Sequence, residues 1–171
     1  MNRKARLTAR FCYVLAWSVV VGIVAGCAER GDASAGKDTL SAPAVASGDT
    51  FAMTVYKSPT CGCCTKWVEH LGKNGFRVTA IDREDMESIK KQHGVGDIVA
   101  SCHTAIVEGY VVEGHVPAAD VYRLLRERPA IAGLAVPGMP MGSPGMEGSR
   151  TDKYDVIAFD RDGATRVFAS H

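Results

Sequence analysis

From Phe51 onward the apolar positions change period several times, and each change predicts an element. Residues 53–57 alternate through Val55 and are rich in β-formers, and Ser58-Pro59-Thr60 breaks the run, which predicts a strand followed by a turn. Cys61, Cys64, Trp67/Val68 and Leu71 recur at helical spacing and stop at Asn74-Gly75. A second strand over 76–81 and a second helix over 82–93 follow, the helix with Met86 and Ile89 on one face and Gly94 past its end. Residues 105–107 and 110–112, joined by Glu108-Gly109, predict a hairpin. Pro117 opens a third helix through Val121, Leu124 and Leu125, closed by Arg126, Arg128 and Pro129. Residues 133–148, rich in Gly, Pro and Met and without a period, predict an irregular loop. Residues 154–159 and 165–168, around Asp160-Arg161-Asp162-Gly163, predict a terminal hairpin. The order β-α-β-α-β-β-α, with the added Gly/Pro/Met loop and the C-terminal β-hairpin, predicts an α/β domain built on a mixed sheet, with Trp67 and Phe76 in its core.

The N-terminal residues follow another pattern. Arg3, Lys4, Arg6 and Arg10 precede an apolar run of about 14 residues over 11–24, a positive region and then a hydrophobic region as in signal peptides. The run is shorter than the ~20 residues of a spanning helix and lacks a basic stop, which argues against a permanent transmembrane anchor. Val24-Ala25-Gly26-Cys27 resembles the lipobox of bacterial lipoproteins, in which the cysteine becomes the lipidated first mature residue; cleavage near Ala25 is the alternative. Within that resemblance Ala28 in the second mature position implies outer-membrane sorting. The expected organisation is a signal peptide over 1–26, an Ala/Gly/Ser/Asp-rich tether over 27–50 with a reach of about 25 Å, and one folded domain over 51–171. The expected location is the periplasm, with contact to the membrane through the lipid anchor.

The full chain has 20 Lys+Arg and 19 Asp+Glu, but loss of the four basic residues of the leader leaves 16 against 19, a net charge of −3. A mildly acidic domain has no field for non-specific nucleic-acid binding. Walker, Ser-His-Asp and H-E-x-x-H patterns are absent, which removes common nucleotide and hydrolase readings.

Six cysteines are the unusual count. Cys12 leaves with the leader and Cys27 is the lipidation candidate, so Cys61, Cys63, Cys64 and Cys102 remain. Cys61 and Cys64 have the C-x-x-C spacing of thiol-disulfide oxidoreductases, placed where a helix N-terminus favours a thiolate; Cys63 is extra to dithiol exchange.

Four blocks in order carry a family resemblance: Tyr56-Lys57-Ser58-Pro59-Thr60-Cys61-Gly62-Cys63-Cys64, Ser101-Cys102-His103-Thr104, Gly114-His115-Val116-Pro117, and residues 136–147 with Met139, Met141 and Met146. Together they resemble the thioredoxin-like copper-resistance proteins of the CopG type, a metal-binding family also catalogued as a domain of unknown function. The resemblance implies a periplasmic thioredoxin-like fold that contributes to copper resistance and binds copper, as Cu(I) in a polynuclear set, through Cys61, Cys63, Cys64 and Cys102. It also places His103 where thioredoxins carry a cis-proline facing the C-x-x-C.

Soft thiolates suit Cu(I) or Zn(II), with zinc the lesser expectation, and a structural zinc module is one alternative. Adjacent Cys63 and Cys64 are expected to diverge from a regular helix, which favours bridging thiolates over one closed mononuclear site. Two disulfides are the alternative resting state in an oxidising compartment. A thiol-disulfide or copper oxidoreductase with Cys61 as nucleophile and Cys64 resolving is the enzymatic alternative, served by a periplasmic copper donor or redox partner.

Met139, Met141 and Met146 lie in the Gly/Pro loop rather than on an amphipathic face, and their thioethers suit Cu(I); capping the core is the plainer role. His103 adjoins Cys102 as a ligand or a neighbour that stabilises its thiolate. His115 is expected mainly to hydrogen-bond a turn, with a place at the metal, as ligand or support, the alternative; His70, His93 and His171 are expected to serve surface roles.

Overall fold

The structure is a computed structural model that describes residues 50–171. The leader, Cys27 and nearly all of the tether lie outside the described residues. In chain order the elements are β1 (Ala52–Lys57), α1 (Gly62–Lys73), β2 (Arg77–Asp82), α2 (Met86–Gln92), β3 (His103–Val107), β4 (Tyr110–Gly114), α3 (Ala118–Glu127), β5 (Gly133–Val136), β6 (Asp155–Phe159) and β7 (Thr165–Ser170). They form the expected α/β arrangement on one mixed sheet of order β2-β1-β3-β4-β5-β6-β7.

β1 and β2 run parallel around α1, the βαβ unit, and β3 and β4 form the hairpin turned by Glu108-Gly109. β5 departs from expectation: Gly133–Val136 is a fully buried strand, parallel to β4 and antiparallel to β6, where the composition predicts loop. Its four residues are buried on both faces, so no alternation marks them, and Gly133 admits the Val111 carbonyl at a distance no side chain would tolerate. The irregular segment therefore begins at Pro137.

Alternation along the strands divides the interior between the two faces of the sheet. Val55, Ala105, Val112, Leu134 and Ala158 join Trp67 and Leu71 of α1 and Val121, Leu124 and Leu125 of α3 in the larger cluster. Val111, Ala135 and Phe159 meet Val95 and Val99, from the segment after α2, in the smaller one. Trp67 and Phe76 are core residues as expected, and Trp67 Nε1 donates to the Val116 carbonyl at 2.9 Å.

The register brings four chain segments to one end of the sheet. The end of β1 pairs with the start of β3 (Lys57 with His103), and the end of β4 pairs with the end of β5 (Gly114 with Val136). Cys61, Cys102, His115 and the Gly/Pro/Met segment leave the sheet at that end.

Candidate metal centre

Cys61 is the N-cap of α1, in extended conformation, and its sulfur accepts from the Cys64 backbone N–H at 3.3 Å. Cys61 and Cys64 are joined in a disulfide, and Cys63 and Cys102 are free thiols. The two-disulfide arrangement is thus not the one present. Cys63 Sγ lies 3.5 Å from Cys61 Sγ, and Cys64 Sγ lies 3.9 Å from the Cys102 carbonyl. All four sulfurs fall within 4.8 Å of one another. The expected divergence of Cys63 and Cys64 does not keep their sulfurs apart, and that of Cys61, which stands outside the helix and folds back over its first turn, is within reach of both.

A second group shares Cys102: its sulfur and nitrogens of His103 and His115 are also mutually within 4.8 Å. His115 is buried, its Nδ1 lies 2.7 Å from the Pro144 carbonyl, and its Nε2 lies 3.0 Å from Cys102 Sγ. A carbonyl only accepts, so Nδ1 carries the proton and Nε2 presents a lone pair to the Cys102 thiol. His103 Nδ1 is 3.2 Å from the same sulfur, while its Nε2 is buried without a partner. A proton on Nδ1 leaves only a bare acceptor unpaired, the cheaper assignment. Cys102 then donates to His115 and accepts from His103. His115 makes the expected bond to a turn, at the Pro144 carbonyl, with one nitrogen and faces Cys102 with the other.

Burial holds the His103 imidazole well below its usual pKa, helped by His115 and Lys90, and burial also lowers His115. Both rings are neutral at pH 7, the form that ligates metals. Burial, and after it the Cys63 thiol, push Cys102 up to about 12, so an incoming ion must displace its proton.

The turn that carries Cys102 and His103 is anchored by a residue the sequence reading passes over. Glu113, on β4 opposite Thr104, is fully buried. Its Oε1 accepts from the Ser101 N–H at 2.7 Å and from Lys90 Nζ, and its Oε2 accepts from Thr104 Oγ1 at 2.7 Å. Burial raises the carboxyl pKa and the Lys90 ammonium opposes the rise. A lone acid within the apolar run Val111-Val112-Glu113-Gly114-His115-Val116 is the sequence signal for it. Gly114, at φ +70°, lets this turn close: a Cβ there would stand 2.6 Å from Ser101 Cβ and 2.7 Å from the Val136 carbonyl.

The segment after β5 is fastened to the same end. Ser101 Oγ donates to the Gly138 carbonyl at 2.6 Å, the Pro144 carbonyl holds His115, and Gly145 lies against the first turns of α1. Met139 is exposed, and Met141 and Met146 are half-buried. The other histidines are tied more closely into the fold than surface roles require. His70 Nε2 accepts from the Ala118 N–H at 3.2 Å, His93 stacks on Tyr56 with a buried unpaired Nε2, and His171 pairs with Asp120 at 2.7 Å.

Among the described residues no helix is long and apolar enough to cross a membrane. A family model described as a protein of unknown function, DUF411, matches residues 99–146, from just before Cys102 through the methionine segment. No curated protein matches the chain. Two solved structures, described as forms 2 and 1 of copper resistance protein CopG, are each 48% identical to it. The first superposes with a TM-score of 0.69 and covers 72% of this chain and 99% of its own; the second gives 0.68, 72% and 98%. With 48% identity over almost the whole length of those proteins, this chain belongs to the CopG copper-resistance family.

Proposed function

We propose that this domain binds copper, as Cu(I), through Cys61, Cys63, Cys64 and Cys102, in a polynuclear set bridged by thiolates, and that it contributes to copper resistance. The observation that carries the reading is the gathering of four sulfurs within 4.8 Å by two separate segments. Thiolates about 2.3 Å from one tetrahedral ion stand about 3.8 Å apart, so the free and bridged sulfurs need only small shifts to share ions. Thiolate softness favours Cu(I), and structural zinc is the lesser alternative. His115 fits as a further ligand because its other nitrogen is already fixed on a backbone carbonyl, the usual support of a metal-bound imidazole. His103 and the thioethers of Met139, Met141 and Met146 extend the same soft donor surface.

The Cys61–Cys64 disulfide adds a redox component. Two electrons and two protons convert it to two thiols, and only then are all four sulfurs ligands. That supports the second reading, a thiol-disulfide or copper oxidoreductase with Cys61 as nucleophile and Cys64 resolving. We place the domain in the periplasm as a thioredoxin-like fold on a tether over 27–50, lipidated at Cys27 after removal of residues 1–26, with the outer membrane as its site. The strand and helix order and the leader pattern support this.

Copper titration of the reduced mature protein, followed by native mass spectrometry, tests the main reading. About four ions per chain are expected, with loss of loading in Cys61→Ala, Cys63→Ala and Cys102→Ala. No Cu(I) bound, or no effect of those substitutions, overturns it. Insulin reduction by the copper-free dithiol, abolished in Cys61→Ala, would favour the oxidoreductase instead.

A further inference from the structure

We propose that Glu113 is a positioning residue for the metal centre, acting with Lys90 and Thr104 to fix the turn that presents Cys102 to the other three cysteines. The inference rests on the copper-binding reading above and names the part of the fold that sets its affinity.

Cys61, Cys63 and Cys64 need little external support, since the first turn of α1 and its N-cap carry all three. Cys102 comes from another part of the chain, at the end of a loop that follows α2, and its place depends on whatever holds that loop. Glu113 holds it from both sides. One carboxylate oxygen takes the N–H of Ser101, the residue before Cys102, and the other takes the hydroxyl of Thr104, the residue after His103. The two residues between them supply the sulfur and the imidazole of the site. Lys90 brings a third element to the clasp: it reaches from α2 to Glu113 and lies 3.3 Å from Thr104 Oγ1.

A fully buried carboxylate is costly unless every acceptor is used, and here both oxygens are used. The β3–β4 hairpin pairs Thr104 with Glu113 whatever acid or amide stands there, so backbone pairing alone needs no carboxylate at this position. What the carboxylate adds is the bond to Ser101 N, beyond the end of β3, and the tie to α2. Both act on the Cys102 turn. Glu113 bonds to Lys90, Ser101 and Thr104 and to none of the four sulfurs, so its effect must pass through the turn that carries Cys102.

The test uses the mature protein and three variants: Glu113→Gln, which keeps the shape and removes the charge, Thr104→Val, which removes one bond, and Cys102→Ala. In the metal-free, disulfide-closed protein, iodoacetamide labelling of Cys63 and Cys102 is followed by peptide mass spectrometry. Glu113→Gln is expected to raise the Cys102 rate at least about fivefold and leave Cys63 within about twofold. In the reduced protein, competition with bicinchoninate for Cu(I) is expected to show affinity about 10- to 100-fold lower in Glu113→Gln, the scale for loss of a residue that supports a ligand. The double variant Glu113→Gln/Cys102→Ala is expected to bind no more weakly than Cys102→Ala alone, because the effect passes through that sulfur.

Unchanged Cys102 labelling in Glu113→Gln, or additive losses in the double variant, overturns the proposal. Should Glu113→Gln fail to fold, Thr104→Val carries both measurements with the same direction expected, and no change there overturns it. Labelling does not involve copper, so altered Cys102 reactivity in Glu113→Gln, beside a wild-type protein that binds no Cu(I), would sustain the positioning role and reject the copper reading.

Discussion

Gly145→Ala probes how the segment after β5 bears on the metal centre. A Cβ at this position would stand 2.7 Å from the Cys63 carbonyl, 3.0 Å from the Trp67 amide nitrogen and 3.3 Å from His115 Nδ1. The first two are backbone atoms of α1 and cannot swing aside. Gly145 also has φ +88°, where a side chain costs about 1–2 kcal/mol. Overpacking against fixed atoms adds about 1–3 kcal/mol. Gly163 is the control, with the same φ of +88° and nothing within 4 Å of its Cβ position, so Gly163→Ala carries the backbone cost alone. For a domain of this size 1 kcal/mol moves Tm by roughly 3–5 °C. Circular-dichroism melting should therefore place Gly145→Ala about 3–15 °C below Gly163→Ala. If the segment instead lifts away to escape the clash, the gap narrows, but the Pro144 carbonyl leaves His115 and Cu(I) affinity falls. Equal melting of the two variants together with wild-type Cu(I) affinity in both would refute this account of the contact.

Three further outcomes are expected. Trp67→Phe removes the donor to the buried Val116 carbonyl and trims a fully buried ring, which should cost about 2–4 kcal/mol in guanidinium unfolding; a loss below about 1 kcal/mol would contradict the observed packing. His70 accepts the Ala118 N–H only when neutral, and burial lowers its pKa, opposed by Glu147 and assisted by Lys73. Its contribution is therefore complete above the unfolded-state value near 6.5 and lost as pH falls through the lowered folded value, so the stability gap between wild type and His70→Ala should shrink from pH 8 to pH 5. Cu(I) binds only the folded reduced protein in this reading, so saturating Cu(I) should raise its Tm and raise that of Cys102→Ala less; equal shifts would remove Cys102 from the ligand set.

Local patterns were enough to locate the three helices, the C-x-x-C at a strand-to-helix junction and both hairpins, because each is announced by spacing or turn residues within a dozen positions. β5 was not legible, since Gly133-Leu134-Ala135-Val136 has no alternation to read and leads directly into Pro137-Gly138. The gathering of all four sulfurs is not legible in local spacing, because Cys61 caps α1 with an extended backbone that turns its sulfur over the first turn. His115 and Glu113 owe their roles to register. The pairing of β3 with β4 decides that Glu113 faces Thr104 and that the chain beyond β4 returns to Cys102, and pairing is set by contacts between residues far apart in sequence. Lys90 carries no sequence signal at all, as a helix lysine followed by another.

The β3–β4 hairpin has its chemistry at one end and its turn at the other. Glu108 lies five residues along the strand from His103, about 17 Å at 3.3 Å per residue. Glu108 and Gly109 are exposed, and Glu108 engages only Arg128, across 3.5 Å, among the ion pairs of the described residues. That turn is consequently a place to attach a fluorophore or spin label on the same rigid ladder as Cys102. A probe there would report motion of the strand that follows Cys102 without adding a competing donor to the sulfur cluster.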